Sequence, residues 1–471
     1  MHESASATQA ADENSALVPH SVRRRRAGTR FSGPPFLRNA YALVLNTGIS
    51  GALGLVYWIL AARYYDDSDV GRGSAAISAL MLLTGLVSVN FAGTLNRFIP
   101  KTGKHTVAVV AFTYLVTSAV VAVLAVALLF TLHMVGGPAY DLLRDRQTQM
   151  WFVAAAVAAS VITLQDSVLT GLRGAVWVPV WNAAFSVAKI ILLVVLAQSM
   201  PRSGLFFSWI IPMIIVMFPV NLLIFRRLLP RHVRASTHEV GLTAAQVGRF
   251  FAADYLGALV LYGTMFLVPV LVAIHVAPHT YAYFFLAWAI ATMMNLVAVN
   301  MSVSMAVEGV HDPSSLAGYC RSALARTLIL LSFGVVGIGL AAPYTMGLLG
   351  NGYLDAVPLL QLLAFASLPS AVVDIYVGTL RARTKRMRII WVQSLRAVAV
   401  LGLVVVFQHY HQLFLHFGEP RLTAVGAAVL LGQLIVMVVV LPDLGRLLGW
   451  HRRLAPPVMA HEEHEETECL L

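Results

Sequence analysis

The chain has 471 residues, 58% of them hydrophobic and only 12% charged, with a mean hydropathy of +0.76. Soluble domains carry roughly 25% charged residues, so this composition excludes a water-soluble fold and points to lipid as the solvent. The net charge of +11 then has to be read by position rather than as a nucleic-acid signal, and two cysteines, Cys320 and Cys469, exclude a disulfide framework.

Residues 1–35 are polar and hold the run Arg23–Arg26. The apolar stretch that follows is full length and lacks a cleavage site, so a disordered basic cytoplasmic tail is expected rather than a cleaved signal peptide. Its arginines would lie near anionic headgroups. A helical crossing takes about 20 residues, and twelve apolar runs meet that requirement. They lie near 39–62, 73–98, 106–133, 150–172, 176–199 and 205–228, then near 248–274, 281–306, 322–349, 356–380, 388–409 and 422–445. The last residues, 451–471, form an acidic tail in which His461 and His464 are solvated rather than metal ligands.

Lys and Arg concentrate in alternate connections, which fixes the orientation. With the N-terminus inside, the inner segments hold Arg97, Lys101 and Lys104, then Arg226, Arg227, Arg231 and Arg234, then Arg381, Arg383, Lys385, Arg386 and Arg388. The outer segments hold few, such as Arg63, Arg72 and Arg202. Both tails are therefore expected in the cytoplasm of a cell-membrane protein. The longest connection is 230–247, so there is no soluble catalytic domain and no enzyme is expected. The expected plan is a six-helix bundle over 36–229, a cytoplasmic linker at 230–247 and a second six-helix bundle over 248–450.

A repeat supports that division. DSVLTGLR at Asp166–Arg173 ends span four, and DIYVGTLR at Asp374–Arg381 ends span ten. Lys189 lies inside span five and Arg396 inside span eleven, so each buried acid is followed by a buried base on the next helix. Six spans is an even number, so the bundles share one orientation and are related by a pseudo-twofold along the membrane normal, with a site between them. An unpaired charge at mid-bilayer costs at least ~2.5–3.5 kcal/mol, so each of these residues needs a partner or a watery cavity. Asp166 and Arg173 are two helical turns apart, about 10.5 Å, so the base on the next helix is the better partner for each acid. The four charges act either as ion-pair clips between helices or as cavity lining.

Other polar residues lie within spans. Asp254, one turn past Arg249, would pair with it or bind a coupling ion. Asn39, Asn46, Asn90, Asn182, Asn295 and Asn300 are expected to join helices by hydrogen bonds. Gln165 is a candidate second cavity donor, and His275 and His279 are expected to be exposed at the outer rim.

The first quarter carries ARYYDDSDVGRGSAAISALMLL (Ala61–Leu83) and NFAGTLNRFIPKTG (Asn90–Gly103). The Ala62–Arg63 pair, Gly71, and Arg97-Phe98-Ile99-Pro100 leaving span two are similar to the polysaccharide-biosynthesis transporters. These are the O-antigen-flippase-like branch of the multidrug/oligosaccharidyl-lipid/polysaccharide exporter superfamily. The resemblance implies an all-α membrane protein that moves an oligosaccharide on a polyprenyl phosphate or pyrophosphate to the outer leaflet. It implies membrane lipids and other polysaccharide-assembly membrane proteins as partners, and no nucleic acid. Such a headgroup cannot cross hydrocarbon unaided. A central cavity with Lys189 and Arg396 inside, and Arg97, Arg173 and Arg381 at its rim, would offer charge-assisted contacts to phosphate. Asp166, Asp254 and Asp374 are the candidates for ion pairing or for a coupling Na+ or H+; no other cofactor is expected. Two rivals stand beside this: a cation-coupled drug exporter of the same superfamily, which would favour an acidic cavity, and a membrane-embedded glycosyltransferase or polymerase using DDSD (Asp66–Asp69). The second would need a large outer domain, and DDSD reads more simply as a solvated turn.

Overall fold

The computed structural model describes residues 51, 53–99, 103–172, 174, 177–235, 263, 265–415 and 418–448. Among them there is helix and connecting turn, and no strand. Ten helices are long and apolar enough to cross a membrane, and two shorter apolar helices accompany them. In chain order these are α1 (Leu53–Tyr64), α2 (Asp67–Phe98), α3 (Thr106–Val135), α4 (Arg146–Gly171), α5 (Trp177–Ser199) and α6 (Gly204–Leu223). Then follow α7 (Met265–His275), α8 (Pro278–His311), α9 (Leu316–Gly347), α10 (Val357–Ala382), α11 (Arg386–His409) and α12 (Pro420–Leu448). The twelve apolar runs of the sequence all carry helix, the first and seventh in part. The N-terminal tail, Asn39, Asn46, Asp254, most of 230–247 and the acidic tail lie outside the described residues.

Long apolar helices satisfy their own backbone groups, which is what lipid demands. Large side chains such as Phe112, Leu115, Phe130, Phe333 and Leu340 point outward from α3 and α9, as expected where the surroundings are hydrocarbon rather than water. Inside, packing follows one scheme twice. Helix α4 packs on α2, α3 and α6, as α10 packs on α8, α9 and α12; α5 packs on α6 as α11 packs on α12. In both sets the central helix is mostly buried, whereas α3, α5, α9 and α11 expose most of their surface.

The two sets meet along α2 and α8, near the starts of both helices. Gly71 permits the approach: a Cβ there would fall 1.7 Å from the carbonyl oxygen of Pro278. Among the described residues, two side-chain hydrogen bonds cross the seam. Tyr283 Oη donates to Asp67 Oδ2 at 2.6 Å, and Tyr281 Oη donates to Ser78 Oγ at 2.7 Å. Tyr353 stacks edge-on against Tyr283, with centroids 4.6 Å apart. Asp69 pairs with Arg72 within the first turns of α2 at 2.6 Å. The acidic loop is therefore more than a solvated turn: Asp67 belongs to the seam. The helix ends are also locally stabilised. Asp145 caps α4 by accepting from Thr148 N–H and Oγ1 at 2.9 and 3.1 Å, and these bonds hold its carboxyl below the usual range. Asp312, between α8 and α9, is lowered in the same way by Ser314 and Ser315.

Candidate functional site

Two cavities each carry one aspartate of the repeat, one within the C-terminal set and one on the N-terminal set against Phe266 of α7. In the C-terminal set the cavity is about 270 Å³ and is lined by Trp288, Asn295, Asp374, Arg381, Arg396 and Gln433 among others. The acid–base pair is closed here. Arg396 Nη1 donates to Asp374 Oδ1 at 2.8 Å and Nη2 donates to Ser370 Oγ at 2.6 Å. Ser370 in turn approaches Asp374 Oδ2 at 3.3 Å, and Ser302 of α8 donates to the Asp374 carbonyl at 2.6 Å. A planar guanidinium suits this fork, and the fixed geometry recovers much of its desolvation cost. Asn295 Oδ1 and Gln433 Oε1 are buried on the cavity with no hydrogen-bond partner among the described residues. Buried acceptors of this kind are costly unless something donates to them. A hydroxyl-bearing ligand would do so.

In the N-terminal set the cavity is about 380 Å³ and is lined by Asp166, Trp181, Asn182, Phe185, Trp209 and Phe266 among others. The acid–base pair is open here, contrary to the expectation of a Lys189–Asp166 bridge. Lys189 is 5% exposed, and its Nζ lies in a cage of rings, 3.9 Å from the Trp209 centroid, 4.9 Å from Tyr57 and 5.3 Å from Phe185. The negative faces of the rings stabilise the ammonium in place of a carboxylate. The cage draws on α1, α5 and α6, and Tyr57 is held in it by a hydrogen bond shared with Ser208 Oγ at 2.9 Å. Asp166 and Trp181 both line the cavity, with the Trp181 indole N–H directed toward the Asp166 carboxyl.

The structure thus places Asp374 and Arg396 together on the C-terminal cavity and Asp166 on the N-terminal one, while Lys189 is buried among rings beside it. Arg381 lines the C-terminal cavity and makes no ion pair among the described residues. Arg97 lies in the last turn of α2, and Arg173 and Asp254 lie outside the described residues. Three minor expectations change. Gln165 is buried and donates to the Met217 carbonyl at 2.9 Å, tying α4 to α6 instead of serving the cavity. Asn182 and Asn295 donate to their own helices, at Val178 and Ala291, so neither joins two helices. His275 and His279 are exposed, as expected. The aromatic cage was not foreseen; the Trp209 and Phe185 that build it carry no distinctive spacing. Among the described residues no cluster of His, Cys, Asp or Glu could hold a metal ion.

Comparison with solved structures shows that the fold is similar to those of several membrane transporters. The inward-facing form of a multidrug resistance MATE family transporter matches with a TM-score of 0.67 at 15% identity, covering 88% of this chain and 99% of that one. The lipid II flippase MurJ in an inward closed conformation matches with a TM-score of 0.65 at 13% identity, covering 88% and 90%. An outward-facing MATE structure matches at 0.57 and 16% identity, covering 90% and 98%. No family model and no curated protein matches the sequence.

Proposed function

We propose that the chain is a flippase for an oligosaccharide linked to a polyprenyl phosphate or pyrophosphate, carrying it from the inner to the outer leaflet of the cell membrane for surface polysaccharide assembly. On this reading it has twelve crossings in two six-helix bundles related by a pseudo-twofold along the membrane normal, with both termini in the cytoplasm. The observation that carries the proposal is the lining of the C-terminal cavity. Arg381 and Arg396 beside the unpartnered amide oxygens of Asn295 and Gln433, in a protein whose outer surface is apolar, support a path for a polar anionic headgroup. Arg381 would meet phosphate at the rim, and Asn295 and Gln433 would accept from sugar hydroxyls. The acyl tail would stay in lipid. The seam at the starts of α2 and α8 would lie on the outer side, closing that side while the cavities wait for cargo from within. Moving an anion out of a negative interior is favourable by about 2.3 kcal/mol per charge per 100 mV, so no coupling ion is required. Where Na+ or H+ does contribute, Asp166 is the better candidate, since Arg396 neutralises Asp374.

A second reading rests on one specific observation: Asp166 faces a cavity rich in aromatic rings, which would suit a cationic amphiphile and hence a drug exporter. Deleting the gene and extracting polyprenyl-linked sugars separates the two. A finished glycan accumulating on its carrier in the inner leaflet supports the flippase. A change confined to resistance against cationic dyes would replace it with the exporter.

A further inference from the structure

Depth along the C-terminal cavity sorts its polar groups by kind. At the end nearest the turn between α10 and α11 stands Arg381, with no ion pair among the described residues. Seven residues back along α10, about 10.5 Å, Asp374 is neutralised by Arg396, and Ser370 joins the two. Helix α8 runs parallel to α10, since Ser302 donates to the Asp374 carbonyl and Gly309 lies against Ala382. Asn295, seven residues before Ser302, therefore lies about 10.5 Å beyond the pair, on the side away from Arg381. Gln433 reaches that side from α12: at Gly432 a Cβ would fall 3.0 Å from Val400 Cα, and Val400 is one turn beyond Arg396. Trp288, stacked on Phe284 with centroids 5.6 Å apart, is two turns further along α8. Among the described lining residues, none beyond the pair is charged. Thr292 is already committed to the Trp288 carbonyl at 2.8 Å, whereas the amide oxygens of Asn295 and Gln433 are open acceptors. Open buried acceptors call for donors, and a charged group at this depth would find no counter-charge. A neutral ring bearing hydroxyls meets both conditions: its O–H groups donate to the two amides, and its C–H face packs on the indole.

We propose that the reach of the C-terminal cavity beyond the ion pair is a binding site for a neutral sugar ring, with Asn295 and Gln433 selecting hydroxyl donors and Trp288 as the ring on which the sugar packs. The inference rests on the flippase reading and deepens it: the glycan enters the cavity sugar-first, and its phosphate stays at Arg381. A uronic acid or an amino sugar at the same depth would carry a charge with nothing to pair it, because Arg396 and Asp374 already hold one another. The site therefore discriminates against both.

Trp288 lets the site report on itself. The full-length protein would be held in a polyoxyethylene detergent, which carries no sugar, and its tryptophan emission followed as amphiphiles are added at equal mole fraction in the micelles. The probes are dodecyl β-glucoside, its fully O-methylated form, which keeps the ring and loses every donor, and dodecyl β-glucuronide, which adds a carboxylate. Trp288→Phe should remove the glucoside-dependent emission change and so identify the signal that comes from the cavity. On that signal the glucoside is expected to bind at least about tenfold more tightly than either comparison probe, the equivalent of two ordinary hydrogen bonds. Asn295→Leu combined with Gln433→Leu should bring the glucoside and its methyl ether level. Equal binding of the glucoside and either comparison probe to the wild-type protein overturns the proposal without recourse to any variant. Persistence of the methyl-ether discrimination in a folded double variant overturns it as well. So does a glucoside response that survives unchanged in Trp288→Phe, because that would place the sugar elsewhere. The glycan-accumulation experiment is independent: accumulation without probe discrimination removes only this inference, and discrimination without accumulation removes the flippase reading.

Discussion

At Asp374 and Arg396, both less than one-fifth exposed at the side chain, the energetic question is what happens when one partner is removed. Breaking such a pair leaves a buried charge without compensation, at a cost of about 3–5 kcal/mol, whereas replacing both partners with apolar residues of similar size is often close to neutral. Asp374→Asn should therefore lower the melting temperature in detergent clearly, and Asp374→Leu combined with Arg396→Met should recover much of that loss while abolishing export. A double variant as unstable as the single one would show that the pair is not the source of the effect. The Asp145 cap poses a milder question of the same kind. Hydrogen bonds from Thr148 lower its folded pKa below the unfolded value, so its stabilisation of the first turn of α4 is present above the ordinary carboxylate pKa and is lost as pH falls through the depressed folded value. The amide protection factor at Thr148 should accordingly fall in acid and become insensitive to pH in Asp145→Ala, as read by hydrogen exchange.

Among the elements, α2 and α8 set the relation between the two sets of helices, and at Gly71 the backbone of α2 lies against Pro278 of α8. Any side chain there meets main chain at Pro278 rather than a flexible side chain that could move aside. Gly71→Ala should wedge the seam apart, so that a cysteine placed on the N-terminal cavity at Thr84 becomes reactive toward an impermeant maleimide from the α2/α8 side; unchanged labelling would mean that the seam closes elsewhere. The helices and the repeat were legible in the sequence because lipid imposes a length and an apolar composition on every crossing, and because charges in such runs are few enough to align. Asp166, Asp374, Lys189 and Arg396 stood out for that reason alone. The pairing of those charges was only half legible. Arg396 reaches Asp374 as helix spacing suggests, but Lys189 is diverted by Tyr57, Phe185 and Trp209, rings from three helices that ordinary apolar sequence conceals. The seam was invisible for a related reason: Tyr281 to Ser78 and Tyr283 to Asp67 link positions some two hundred residues apart, and serine, tyrosine and glycine in membrane helices carry no periodic mark.

For the molecule as a whole, alternating access on the proposed function would require that the α2/α8 seam open while each set of helices keeps its internal packing. Besides a hydrophobic core shared by the two sets, with Trp58 packed on Phe285 at 4.7 Å, it is held by one hydrogen bond to a carboxylate, one between hydroxyls and a close backbone approach among the described residues. Hydrogen bonds of these kinds contribute net only about 0.5–3 kcal/mol each, a scale at which differential binding of a cargo could shift the equilibrium between closed and open forms. Ser78 and Tyr281 meet across the length of the tyrosine ring, with their oxygens 2.7 Å apart, a gap too wide for a direct disulfide, so cysteines at both positions should be bridged across the seam by a short bis-methanethiosulfonate reagent. The crosslinked protein should lose export while keeping its melting temperature, and a thiol reductant should restore transport. Each single cysteine variant should keep transporting after the same treatment. Transport that continues through a fully crosslinked protein would show that cargo does not pass by separation of α2 from α8, and the route would then have to run within one set of helices, past the charges that each cavity encloses.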